Sequence, residues 1–254
     1  MAEDDTQTPK DGSVPVRPRA SSRKRRSEGV EHEARRPVQE RSQARFELII
    51  STLEEVLEVS SIEDISVYDI AERAKVSPAS INYFFPTMTA LRVELIRRYL
   101  ADAADHHQTY RDQHRGQLAP DWQLSLRQSL LSYRDLLHSR RPMAEILLGA
   151  MPNAEVRRVF AVENDLLAER NCEALMEDYV MPEIPGLKEA MSHSFDCIDA
   201  LWARSYAFHG HINDATVEAS SEIQLSYLRM YLPAHLAPRR DGERAPTGDE
   251  APIA

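Results

Sequence analysis

Between residues 77 and 89 the chain carries Ser77, Ser80, Asn82, Tyr83 and Thr87 and no Lys or Arg. These are neutral hydrogen-bonding groups on short stems. An Asn pairs bidentately with the N6/N7 edge of adenine, a Ser bonds several base edges, and a Tyr meets a phosphate or a thymine methyl. Tyr68, Lys75, Ser77 and Thr87 are candidate phosphate contacts, some of them at helix N-termini where backbone N–H groups are free. Chemistry of this kind recognises a surface rather than breaking a bond. There is no Gly-rich phosphate loop, no GxSxG, no HExxH and no nucleophile–base pair, so an enzyme is not expected.

Other reactive side chains form no motif. Cys172 and Cys197 are far from any CxxC spacing, which argues against a zinc site or redox pair. His106, His107 and His114 lie near Asp102 and Asp105, and His209 and His211 flank a Gly. Their spacing matches no ligand pattern, so they read as surface or loop histidines, with no metal and no cofactor expected. No apolar run approaches the 18 or so residues of a membrane span, and the N-terminus lacks an apolar signal core. A cytoplasmic protein with reduced thiols and no membrane partner is expected.

The formal net charge is −10, unevenly spread. Residues 1–45 hold 11 Lys and Arg against 8 Asp and Glu, a net of +3, which leaves −13 for the rest. Arg35, Arg36, Arg41 and Arg45 stand closest to the first helical pattern. A basic arm on an acidic body implies an anionic partner for the arm, or a solvated tail.

The elements that must position the polar cluster are helical. Phe46, Ile49, Ile50, Leu53, Val56 and Leu57 form one apolar stripe beginning near Arg41. Ser66 with Asp69 makes a capping-box start for a second helix ending near Ala74. Ser77 followed by Pro78 starts a third, because Pro at the first helical position loses no needed N–H. Pro86 stops it, and Thr87 or Thr89 caps a fourth, with Leu91, Leu95, Ile96 and Tyr99 on one face. Further helices are expected over 121–139, 141–150, 154–181, 187–209 and 214–232, with short connections that favour antiparallel neighbours. No strand pattern competes. In the helix-turn-helix geometry, Ala71 is the small contact residue, and Ile70, Ala74, Val76, Ile81 and Phe84 face inward.

The stretch "SVYDIAERAKVSPASINYFFPTMTALRVELI" resembles the DNA-binding domain of the TetR family of transcriptional regulators. Ser66, Val67, Ile70, Ala71, Ala74, Val76, Ser77, Phe84, Phe85, Pro86, Thr87, Ala90 and Leu91 carry the resemblance, which covers about residues 41–98. Lys75 stands where the family has a turn Gly, Met88 where a Lys is frequent, and Asn82 where a Tyr is common. The resemblance implies an all-α fold, with a three-helix helix-turn-helix domain followed by a helical-bundle domain for ligand and dimerisation. The expected boundaries are a disordered basic arm over 1–40, the DNA-binding domain over 41–98, the bundle over 99–236 and a disordered tail over 237–254.

It further implies a double-stranded DNA operator, a small-molecule effector and a homodimer, the chain acting as a repressor released by an apolar or aromatic molecule. Arg41, Arg45, Tyr68, Lys75, Ser77, Ser80, Asn82, Tyr83 and Thr87 are then the DNA-contacting candidates. Met143, Leu147, Met151, Phe160, Asn164, Leu167, Phe195 and Trp202 are the pocket candidates, although such residues at helical spacing serve equally as core. Ala200, Leu201, Ala203, Arg204, Ile223, Tyr227 and Met230, on the last two long helices, are the dimer-interface candidates. The alternative is a helical interaction protein of the same fold without specific DNA binding.

Overall fold

The computed structural model describes residues 33–114, 121–149 and 153–239. Helix α1 (Glu40–Leu57) is followed by a 3-10 turn (Ile62–Asp64), α2 (Val67–Ala74), α3 (Pro78–Phe84) and α4 (Met88–Gln113). Then come α5 (Trp122–Ser139), α6 (Arg141–Ala144) running into a π-helical turn (Glu145–Gly149), and α7 (Ala154–Asp178). The long pair α8 (Leu187–His209) and α9 (Asp214–Leu228) closes the bundle. The architecture is all-α apart from a two-residue antiparallel ladder between β1 (Tyr179–Val180) and β2 (Ala237–Pro238).

Local chemistry accounts for most helix starts. The Ser66 hydroxyl accepts from the Asp69 N–H, and the Asp69 carboxylate accepts from the Ser66 N–H at 2.8 Å, a complete capping box. Ser77, Thr87, Asp121, Asn153 and Asn213 each cap the following helix through a side-chain oxygen. Gly210, at φ 69°, closes α8 in the left-handed conformation that glycine adopts without strain.

Several segments depart from the sequence expectation, among them the single helix expected over 141–150, which is a short α-helix followed by a π-helical turn. The helix expected over 154–181 stops at Asp178, because Tyr179 and Val180 turn extended to pair with Pro238 and Ala237. That pairing orders the first residues of the expected tail, and the Arg239 side chain donates to the Met176 carbonyl at 2.7 Å. Residues 33–39, expected in the arm, are also held in place. The Arg35 N–H donates to the Phe84 carbonyl at 2.7 Å, and the Arg36 guanidinium pairs with buried Glu94 at 3.1 Å. Residues 1–32, with the rest of the expected arm, lie outside the described residues. Helix α4 runs unbroken past residue 98, so one rod belongs to both expected domains.

Two core clusters fill the described fold. The larger starts with Phe46, which meets Phe84 edge-on at 5.8 Å and Phe85 at 4.7 Å, and extends through α4 and α6 to Trp202. The smaller surrounds Trp122, Met191 and Tyr179. Trp122 anchors it by donating its indole N–H to the Pro233 carbonyl at 2.9 Å.

The π-helical turn joins the first four helices to the bundle. Glu145 is 5 % exposed, and its carboxylate accepts from the Ser61 hydroxyl (2.8 Å), the Ile62 N–H (2.9 Å) and the Tyr206 hydroxyl (2.8 Å). Arg141, one turn earlier, donates to the Leu57 carbonyl at the end of α1. A Cβ on Gly149 would come within 2.8 Å of the Glu145 carboxylate. The three donors pin that carboxylate, so it has little room to yield. Glu145→Ala would leave all three donors without their acceptor and is expected to cost about 3 kcal/mol. Glu145→Gln keeps one acceptor oxygen and should cost less; urea midpoints for the two variants measure the difference.

Candidate nucleic-acid interface and internal cavity

Lys75 occupies the turn between α2 and α3 at φ 52°, ψ 42°, the one non-Gly residue of positive φ among the described residues. The Val76 N–H returns to the Ala71 carbonyl at 3.0 Å and the Lys75 N–H to the Glu72 carbonyl at 3.2 Å. This pair of bonds is a Schellman motif, whose left-handed position usually belongs to Gly. It ends α2 sharply and lets Ser77 begin α3 two residues later. Ala71 is 4 % exposed at the crossing, and Ile70, Ile81 and Phe84 are buried behind it. Ala74 is buried as well, and Val76 packs against the same core.

The opposite face of α3 is open. Asn82 is exposed, Tyr83 is 62 % exposed and Ser80 is half-buried, while Tyr68 on α2 is 73 % exposed. Ser77 and Thr87 are occupied as N-caps, accepting from the Ser80 and Ala90 N–H groups. Arg41, Arg45 and Lys75 are exposed, and no carboxylate among the described residues pairs with them. Arg36, by contrast, is committed to Glu94. Glu94 also takes Arg98, which in turn grips Glu47 with two nitrogens at 2.6 and 2.9 Å. Met88 is half-buried against the core, so an apolar side chain is used where the resembling family carries a Lys.

Among the expected pocket residues, Phe160, Asn164, Leu167 and Phe195 line one cavity of about 120 Å³ between α4, α5, α7, α8 and α9. Met143, Leu147 and Trp202 do not line it. Met143 and Leu147 sit on the α6 and π-helical segment and pack into the core instead. Trp202 is fully buried behind the cavity wall, donating to Ser220 at 3.0 Å and stacking on the lining residue Tyr133 at 5.5 Å. Met151 lies outside the described residues.

Sequence reasoning missed the polar lining of His106, His107, Tyr133 and Asp199. Tyr133 alone carried a signal, standing on the apolar face of Leu126, Leu130 and Leu137; His106, His107 and Asp199 carried none. His106 bonds the Ser132 hydroxyl at 2.8 Å. Burial, helped by the nearby Arg111, His106 and Arg170 charges, holds the His107 imidazole down at about 4, so it is neutral near pH 7. Asp199 is pushed up to about 6 by burial, opposed by a hydrogen bond from Asn164 and reinforced by the Asp196 charge.

On α8 and α9, Ala200, Arg204 and Ile223 (45 %) are exposed, and Phe208 at 70 % joins them; Met230 (76 %) is exposed in the turn after α9, which ends at Leu228 rather than at the expected 232. The Arg204 guanidinium lies 4.9 Å from the Phe208 ring centre. Ala203 and Tyr227 are half-buried. Leu201 packs on the main core, so it contributes less to that face than the sequence suggested.

A steep helix-turn-helix head braced by two further helices, on a helical bundle with an internal cavity, defines a class of fold. Solved structures share it. The chain is similar to a TetR-family transcriptional regulator from Streptomyces coelicolor at 18 % identity and a TM-score of 0.55, covering 74 % of this chain and 99 % of that one. It is also similar to the fatty acid degradation regulator FadR from Bacillus halodurans at 17 % identity and a TM-score of 0.53, covering 73 % and 96 %. No family model and no curated protein matches the sequence. The chain therefore has the fold of the TetR-family regulators. No helix among the described residues is long and apolar enough to cross a membrane.

Two outcomes follow from this geometry. Lys75→Gly relieves the left-handed strain and should raise stability by about 1 kcal/mol, whereas Lys75→Ala retains the strain and should not. Asp199 binds its proton more tightly folded than unfolded. The stability it contributes is full below pH about 4 and is lost as pH rises through about 6. Asp199→Asn should therefore be more stable than the wild type by about 1–3 kcal/mol above that range. The two should converge at pH 4, as read by denaturant titration at both pH values.

Proposed function

We propose that the chain is a TetR-like, dimeric, sequence-specific DNA-binding transcriptional regulator, a repressor that leaves its operator when a small, mostly apolar or aromatic molecule fills the cavity. The observation that carries the reading is the division of α3. Ile81 and Phe84 are locked into the core while Asn82 and Tyr83 stand open on the other side. An exposed Asn and Tyr on a short helix held by a Schellman turn and a Ser cap suit the major groove.

Under this reading residues 41–98 bind DNA and 99–236 hold the ligand and the dimer contact. The exposed apolar face of α8 and α9 supports a two-fold dimer, which places two α3 helices on half-sites about one helical turn apart. Asn82 and Ser80 would specify sequence. Lys75, Arg41, Arg45 and the basic residues before position 33 would neutralise phosphates. The cavity's apolar walls favour an effector held largely by burial. Ligand binding better to a dimer with mis-spaced α3 helices would release the DNA as a population shift.

A mobility-shift assay against the DNA upstream of the chain's own reading frame tests the reading. Asn82→Ala should cost about 1–3 kcal/mol in specific affinity and relax the choice of base at one position per half-site. Removing residues 1–32, while keeping Arg35 and Arg36 in their structural contacts, should flatten the dependence of log affinity on log salt by about 0.9 for each phosphate left unneutralised. Absence of any sequence-specific shift across salt conditions would favour a helical interaction protein of the same fold.

A further inference from the structure

The cavity contains one feature that an effector of purely apolar type leaves unanswered. Asp199 projects from α8 into its lining, and its only hydrogen-bond donor among the described residues is Asn164, whose Nδ2 lies 3.0 Å from Asp199 Oδ2. The same Nδ2 spends its second proton on Asp196 Oδ1 at 2.9 Å. Asn164 is 6 % exposed and Asp199 half-buried, while Asp196 is exposed, so the one amide holds Asp199 on the cavity side and Asp196 toward solvent. No cation among the described residues pairs with either of them.

The groups facing Asp199 from each neighbouring helix do not repair this. Helix α4 offers His106 and the neutral His107, α5 offers Tyr133, and α9 offers Gln224. Helix α7 offers Glu163, a further negative charge, and Arg170, which is exposed. A sheltered carboxylate without a cation is costly to keep, and a cation brought by a ligand recovers that cost. The walls beside it are the Phe160, Phe195 and Tyr133 rings, whose faces attract a cation as well as an aromatic or aliphatic body.

We infer that the cavity's ligand is an amphipathic amine, with an aromatic or aliphatic body lying against Phe160, Leu167 and Phe195 and a protonated nitrogen seated on the Asp199 carboxylate beside the Tyr133 ring. This inference rests on the cavity being the effector site of the proposed regulator, and it narrows the chemical class of that effector.

Three matched probes test it by calorimetry on the free full-length protein near neutral pH: 4-phenylbutylamine, 4-phenylbutanol and 4-phenylbutanoate. The amine should bind about tenfold or more tightly than the alcohol, the worth of one charge-assisted hydrogen bond, and the carboxylate should bind weakest. Asp199→Asn should reduce the amine to the level of the alcohol and leave the alcohol unchanged, which also shows that the variant cavity is intact. Equal binding of amine and alcohol, a preference for the carboxylate, an amine affinity indifferent to Asp199→Asn, or no amine binding in the millimolar range would each overturn it. The readout needs no DNA. An amine that binds at Asp199 without changing operator affinity removes ligand-controlled regulation and leaves this inference standing, while operator binding beside an amine-indifferent cavity does the reverse.

Discussion

The carboxylate of Glu145 is the point on which the two ends of the molecule agree. It gathers the Ser61 hydroxyl and Ile62 N–H, which lead into α2, and the Tyr206 hydroxyl from α8. A buried carboxylate is tolerated only when its lone pairs are filled, so the three donors must keep their relative positions. The backbone accommodates this with a π-helical turn that ends at a Gly, where a side chain would crowd the carboxylate. Arg141 and Arg92 reinforce the same seam by donating to the Leu57 and Ile62 carbonyls. Helix α8 and the segment leading into α2 thereby share one buried acceptor.

Helix α8 is the natural conveyor. Phe195 and Asp199 line the cavity, Tyr206 lies seven residues beyond Asp199, about 10 Å along the axis, and Ala200, Arg204 and Phe208 look outward on the exposed face. One rod thus touches the cavity, the Glu145 junction and the exposed face that the proposed dimer would use. Helix α4 is the second rod. Its N-terminal half enters the same core as Ile81 and Phe84 through Leu91 and Leu95, and its later turns supply His106 and His107 to the cavity. Under the proposed function, a change in cavity filling would reach α3 along these two rods without a mobile loop.

What the sequence discloses about this molecule is what local physics decides. The Ser66 capping box, the Ser77–Pro78 start, the Thr87 cap and the positive φ at Lys75 each depend on residues within four positions of one another. All are readable from the sequence. The inward set Ile70, Ala71, Ala74, Ile81 and Phe84 is readable for the same reason, since helical period fixes which side chains share a face. Glu145 is invisible there because its donors are 61, 83 and 84 positions away and its own segment reads as ordinary helix. Asp199 is hidden likewise: an Asp on a long helix reads as solvated until Asn164 of α7 is seen closing over it. Met143, Leu147 and Trp202 show the converse error, because large apolar residues announce burial without saying whether a cavity or a neighbour buries them. The start of the expected tail failed for a third reason. The ladder at 179–180 and 237–238 is two residues long, below the length at which alternation in a sequence can signal a strand.

Under the proposed function, the Glu145 junction couples the cavity to α3. This coupling is tested most directly by measuring operator affinity with and without a saturating ligand from a thermal-shift screen, in the wild type and in Tyr206→Phe. Tyr206→Phe is predicted to bind ligand and operator separately as the wild type does, yet to lose most of the ligand-induced fall in operator affinity. An undiminished fall in the variant would contradict the claim.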